Sequence, residues 1–276
     1  MIKSLGLVIG VLIGSAIPLL AKDKPLQSLD TGMQVQGWEG VGRLDIGKTG
    51  FCTGALISEK LVLTAAHCLF DRNTGQRVSD DQLLFRAGFR HGRSAAEVRV
   101  IRSVVHPGYE PNGGVTVENV SHDLALLELT FPIRNMGVTP FAVYSEPRGG
   151  ESVGVVSYGR GRSAAPALQE RCQVMSRDRA GVLMMSCSVD FGSSGAPVFA
   201  LSQGRPHIVS VVSAKARGTM GGTVSDVSLG VALGPKLDVL RAALDARDRR
   251  FIQPSMNDGS VPREMSAGGG ARFLRP

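Results

Sequence analysis

The chain has 276 residues, 43% of them hydrophobic and 20% charged, with 35 glycines and 14 prolines. That balance excludes a wholly disordered chain, and a coiled coil is excluded by the low charge and the lack of sustained heptads. Of the net charge of +7, residues 1–24 carry +2 and residues 247–276 carry +3. Only +2 is left for everything between, and aromatics are few, so a nucleic-acid-binding core is not indicated.

The chain opens with Lys3, an apolar run from Leu5 to Ile17, then Pro18–Ala21 and the charged Lys22-Asp23-Lys24. This is the pattern of a secretory signal peptide over residues 1–21, cleaved after Ala21. The run is short for a membrane span. An uncleaved anchor is the competing reading, and either way the rest of the chain is exported, to the outside or to a periplasm. Residues 22–36 then form an N-terminal segment or a short propeptide.

From residue 37 on, apolar stretches of four to eight residues alternate with Gly, Asn, Asp, Ser and Pro clusters. Gly54–Ile57, Leu61–Thr64, Glu97–Val105, Leu124–Leu129, Ser152–Ser157, Gly181–Cys187, Pro197–Leu201 and Ile208–Ser213 are the clearest strands. Evenly spaced short strands predict an all-β sandwich or barrel. The stretch Leu124–Leu129 is apolar on both faces apart from Glu128. Leu237, Leu240 and Leu244 share one face of a terminal helix entered through Gly234-Pro235 and ending near Arg250. Residues 253–276, rich in Gly, Pro, Ser and Arg, read as a flexible basic tail.

Four cysteines, at 52, 68, 172 and 187, lie in a chain read as exported, where disulfides are the natural use. Three pairings are possible. The sequential one, Cys52–Cys68 and Cys172–Cys187, closes two loops of about 15 residues, each worth on the order of 3 kcal/mol in the chain-entropy account. A zinc site would need close pairs such as Cys-x-x-Cys, which are absent. No carboxylate cluster argues for calcium either.

Three segments carry chemistry together. Leu61-Val-Leu-Thr64-Ala-Ala-His67-Cys68 puts a histidine at a strand end. Asn119-Val-Ser-His122-Asp123-Leu-Ala-Leu-Leu127 puts an aspartate at the mouth of a buried strand. Asp190-Phe-Gly192-Ser193-Ser194-Gly195-Ala196-Pro197 puts a serine in a glycine-rich turn. A serine hydroxyl needs a base to act as a nucleophile, and the base needs a carboxylate to hold its tautomer. Glycines beside the serine allow backbone N–H groups to turn toward a developing oxyanion. Taken singly, a serine in a turn or an aspartate before a strand is an ordinary structural residue; the signal is the three in order.

In these segments, and in His106-Pro-Gly-Tyr109, the chain resembles the chymotrypsin-like (trypsin-fold) serine peptidases over roughly residues 37–244. The resemblance implies two six-stranded antiparallel β-barrels with a C-terminal helix and a site in the cleft between them. It implies His67 as general base, Asp123 as its orienting carboxylate, Ser194 as nucleophile, and the N–H groups of Gly192 and Ser194 as oxyanion donors. No metal or organic cofactor is needed. Partners would be protein or peptide substrates, with no nucleic acid, a membrane met only in transit through the signal peptide, and a monomeric state. His106 and His122 carry no proton-transfer role, and His91 and His207 have no context.

The pattern departs from the family at one telling place. Animal digestive members have an Asp before the nucleophile that pairs with an N-terminus released by activation. This chain has Ser193 there and no activation-like segment before Trp38. Both absences agree, since an Asp without an amine would be a buried unpaired charge. The resemblance is therefore to the bacterial glutamyl endopeptidase-like branch. Six residues before Ser194, where trypsin has its pocket Asp, stands Ser188, so a tryptic preference is unsupported. The strand Val211–Lys215 resembles the segment that pairs with substrate backbone. Ser213 could brace Asp123, and Lys215 would favour acidic side chains if it faced the pocket. The expected function is a secreted serine endopeptidase working through an acyl-enzyme; the alternative is an inactive homologue serving as an extracellular binding module.

Overall fold

The computed structural model describes residues 23–252 except 49, 135–136, 145–146, 203–204 and 221–222. The expected signal peptide and the expected tail lie outside the described residues. The first barrel is closed by six short strands: β2 (Val41–Ile46), β3 (Gly50–Leu56), β4 (Leu61–Thr64), β5 (Leu83–Ala87), β6 (Ala96–Val105) and β7 (Ala125–Leu129). They run around the barrel in the order β2-β3-β4-β7-β6-β5, all antiparallel. β7 is buried on both faces except at Glu128, as its apolar run predicts. One face looks into the barrel, with Leu127 beside Phe85 and Leu44; the other, through Leu126, meets the terminal helix.

The second barrel is longer-stranded. It uses β8 (Ser152–Gly159), β9 (Arg162–Arg177), β10 (Val182–Met185), β11 (Pro197–Ser202), β12 (Arg205–Met220) and β13 (Thr223–Ala232). The order β9-β10-β13-β12-β11-β8 closes on itself through β8–β9 pairing. Closure leaves no open edge except where β1 (Gln27–Ser28) adds onto β9. Two six-stranded β-barrels and a C-terminal helix are therefore the architecture.

The stretch expected as a segment or short propeptide is packed onto this second barrel. Lys24 and Leu29 donate backbone N–H bonds to Arg171 and Pro166, and Leu29 and Val35 are buried. Between them, α1 (Gly32–Val35) starts at a capping box made by Thr31 and Gln34. The terminal helix α3 (Gly234–Ile252) sets Leu237, Leu240 and Leu244 against Val104, Leu124 and Leu126 of the first barrel. It thus ties the end of the second barrel to the first. Both disulfides have the sequential pairing, Cys52–Cys68 and Cys172–Cys187, and no cysteine is free.

Candidate active site

The three chemistry-bearing segments meet where the barrels face each other. His67 sits on a single 3-10 turn, Ala66–Leu69, directly after β4. Cys68, next in the chain, pins that turn to β3 through Cys52. Asp123 follows the short helix α2 (Val117–Ser121), which starts at Thr116, whose hydroxyl accepts from the Asn119 N–H. The carboxylate is 3% exposed, and both oxygens are used. Oδ1 accepts the His67 backbone N–H at 2.9 Å. Oδ2 lies 2.7 Å from His67 Nδ1 and accepts from Ser213 Oγ at 2.5 Å. A buried carboxylate with charge-assisted donors on both oxygens fixes the imidazole with Nδ1 as its protonated nitrogen. The other ring nitrogen, Nε2, is thereby turned away from Asp123.

Ser194 lines the same cavity as His67 and Asp123, a cleft of about 400 Å³. Among the described residues Ser194 Oγ makes no hydrogen bond to the ring. The peptide groups around it are held from behind. Phe191 C=O accepts from Arg160 N–H at 2.8 Å, and Ser193 C=O accepts from Ala196 N–H at 3.0 Å. In a trans peptide the N–H points opposite to the C=O, so the Gly192 and Ser194 N–H groups are directed away from those anchors, and neither is spent on a backbone carbonyl. Both glycines of the turn are obligatory. Gly192 has φ +96°, and a Cβ there would fall 2.3 Å from the Phe51 ring. Gly195 has φ +78°, and its Cβ would fall 2.1 Å from Thr64 Oγ1.

Two residues without a motif hold this turn. Thr53 on β3 is fully buried and bonds across the barrel interface at three points. Its N–H donates to Ser194 C=O at 2.8 Å, its Oγ1 donates to Gly192 C=O at 2.8 Å, and the same Oγ1 accepts from Tyr158 N–H at 3.1 Å. A polar residue inside the apolar strand Phe51–Leu56 was the available signal. The second is Arg162, at the start of β9. Its guanidinium donates to Ser193 Oγ at 3.0 Å, to Ser157 Oγ at 3.1 Å and to Ser157 C=O. Gly159 leaves the space, since a Cβ there would lie 2.8 Å from the guanidinium. Ser193 Oγ, 1% exposed by residue, also donates to Tyr158 C=O at 2.9 Å and accepts from Asp190 N–H. Burial pulls the Arg162 pKa below its ordinary value and Asp190 opposes that shift. The position before Ser194 is thus braced by an internal cation. Nothing in the string Tyr158-Gly-Arg160-Gly-Arg162 distinguishes that arginine from its neighbour.

The expected pocket residues separate. Ser213 and Lys215 line the cavity that contains Ser194. Lys215 is half-exposed and pairs with Asp226 at 2.8 Å, which raises its own pKa and lowers that of Asp226. Ser188 is exposed and lines a separate cavity of about 120 Å³ with Lys215 and Asp226. His122 is the C-cap of α2, and it stacks on His106 with ring centroids 4.7 Å apart. Burial foremost, then the charges of His122 and Lys236, lower the His106 pKa to about 4. His91 is exposed beside Asp30, and His207 packs on Tyr144. The cluster of Cys52, Cys68 and His67 brings three metal-type donor atoms within 4.8 Å. Its two sulfurs are bonded to each other, so they are not thiolate ligands.

A family model described as Trypsin matches residues 31–232. Human kallikrein-10 is 39% identical over 84 residues, covering 30% of this chain and 28% of its own. Trypsin Blo t 3 of Blomia tropicalis is 26% identical over 157 residues, 54% of this chain and 53% of its own. Rabbit coagulation factor IX is 34% identical over 96 residues, 34% and 31% respectively. The chain spans about half or less of these relatives. Among solved structures, a Glu endopeptidase in complex with MPD has a TM-score of 0.62 at 18% identity, covering 82% of this chain and 99% of its own. A scabies mite inactivated protease paralogue, S-D1, has a TM-score of 0.56 at 15% identity, covering 79% and 94%. At such identities these two show the fold alone. With the family match extending over both barrels and the site between them, the chain belongs to the trypsin family.

Proposed function

We propose that this chain is an exported serine endopeptidase whose triad is Ser194, His67 and Asp123. The observation that carries the reading is the doubly bonded Asp123 carboxylate orienting His67 in the cavity that contains Ser194. The fold is shared with both an endopeptidase and an inactivated paralogue, so activity rests on these side chains. Ser194 Oγ attacks the scissile carbonyl carbon while its proton passes to His67 Nε2. The oxyanion accepts from the N–H groups of Gly192 and Ser194. Collapse breaks the C–N bond, the departing amine takes the proton from His67, and a water then cleaves the ester by the same steps in reverse roles.

The internal brace of Arg162 on Ser193 supports a site formed without an activation cleavage, in keeping with the glutamyl endopeptidase-like branch. Two disulfides support an oxidising compartment, and no helix among the described residues is long and apolar enough to cross a membrane. In this reading residues 1–21 direct export, 37–252 form the peptidase unit and 253–276 a basic tail. A fluorophosphonate probe should label the purified chain and spare Ser194→Ala. Equal labelling of both proteins would remove Ser194 from its role.

A further inference from the structure

His67 borders two cavities. The first contains Ser194 and the Ser213–Lys215 stretch of β12. The second, about 480 Å³, lies across the imidazole, bordered by the Cys52–Cys68 disulfide, Phe51 and Gly192. If Ser194 and His67 work as proposed above, and the β12 stretch receives the acyl half of the substrate, the second cavity receives the residues after the scissile bond. His67 then stands beside the amine to which it must return a proton.

The charge on that side is one-sided. Phe191, 53% exposed, carries the Arg160 guanidinium 4.2 Å from its ring centroid and the Arg72 guanidinium 5.3 Å from it. Both arginines line the second cavity, and neither makes an ion pair among the described residues. The single acidic residue in that lining is Asp71. Its Oδ1 is engaged by the Asn73 and Thr74 N–H groups and the Thr74 hydroxyl, which hold its pKa low. In the first cavity, by contrast, Asp123 and Asp190 offset Lys215 and the Arg72 that borders both. Stacking on an aromatic ring restrains a guanidinium while leaving its N–H edge free for a carboxylate. We propose that the leaving-group side of the cleft selects substrates with a carboxylate one to three residues after the scissile bond, held by Arg160 and Arg72.

The carboxylate can be an Asp or Glu side chain or the end of the substrate chain. Peptides identical before the cleaved bond would carry Glu, Gln or Lys at the second residue after it, all amidated. A Gln peptide with a free C-terminus forms the fourth arm. On the full exported chain, kcat/KM should favour Glu over Gln by about 2- to 5-fold and Gln over Lys by a similar factor. Raising ionic strength from about 0.02 M to about 0.5 M should shrink both ratios. An advantage for the free-carboxylate Gln peptide alone would assign the site to chain ends; an advantage for Glu alone would assign it to side chains. Arg72→Glu with Arg160→Glu should invert the Glu-to-Lys order. Because each ratio is taken on one preparation, a loss of folded protein cancels. Equal rates for all four peptides, or a preference that survives the charge reversal, would overturn the proposal while leaving the triad intact. Failure to cleave any peptide would instead overturn the triad reading, and the subsite with it.

Discussion

Arg162 reaches forward across 31 residues of sequence to donate to Ser193 Oγ at 3.0 Å, and the turn bearing Gly192 and Ser194 is seated on that bond. Ser193 places a neutral hydroxyl before Ser194, and a half-buried cation of the barrel wall is bonded to it. Removing one partner of a charge-assisted bond costs about 1.5–3 kcal/mol. Arg162→Met is therefore expected to lower kcat about 10- to 100-fold with KM nearly unchanged, and Arg162→Lys to recover part of it. Steady-state kinetics on a peptide ester, with folded protein quantified by near-UV circular dichroism, decide this. Wild-type kcat in Arg162→Met would show that the brace does not serve the site.

Thr53→Val keeps the shape of the buried side chain and deletes only its hydroxyl. Gly192 C=O and Tyr158 N–H then lose the same partner. Unsatisfied buried groups cost about 1–3 kcal/mol, so the melting temperature should fall by several degrees. Turnover should fall as well, because the Gly192–Ser193 peptide, which lies between the two proposed donor N–H groups, loses an anchor. A variant destabilised at unchanged kcat would separate Thr53 from catalysis.

Ser213 and Asp123 offer a graded test of the carboxylate. Ser213→Ala removes one of the three donors on Asp123 and should reduce kcat about tenfold. Asp123→Asn leaves the packing in place but inverts the preferred tautomer of His67, and kcat should drop by the order of 10⁴ that such triads show. If the two variants were equally active in a pre-steady-state acylation assay, Asp123 would not be orienting the base.

His106 gives a dependence of stability on pH. It titrates near 6.5 when unfolded, and burial lowers that to about 4 in the folded chain. Between those values the unfolded chain binds a proton that the folded one does not, so this contribution is complete above pH 6.5 and is lost as pH falls toward 4. Urea unfolding at intervals from pH 7 to pH 4 should show the decline, and His106→Gln should flatten it. An identical slope in the variant would place the loss elsewhere.

The strands whose apolar runs are short and bounded by turn residues were legible: Leu61–Thr64 is β4 without adjustment, and the leucines of α3 face inward as their spacing requires. β9 was not among the strands the sequence made clear. It runs from Arg162 to Arg177 through Pro166, Glu170 and Arg171, a composition that breaks both apolar continuity and alternation. The short helix before Asp123 was also hidden, since five residues carry too little periodicity to register.

For the candidate site, three ordered segments and a family resemblance pointed to His67, Asp123 and Ser194, which line one cavity, while the sequence left three cysteine pairings open and the fold has the sequential one. Which arginine of Gly159-Arg160-Gly161-Arg162 turns inward was settled only by the closing of the second barrel. The inward one braces Ser193 and the outward one stacks on Phe191. The same holds for Thr53 of the first barrel, whose three partners all come from the second. Long-range hydrogen bonds depend on where strands pass one another, and local sequence carries no record of that.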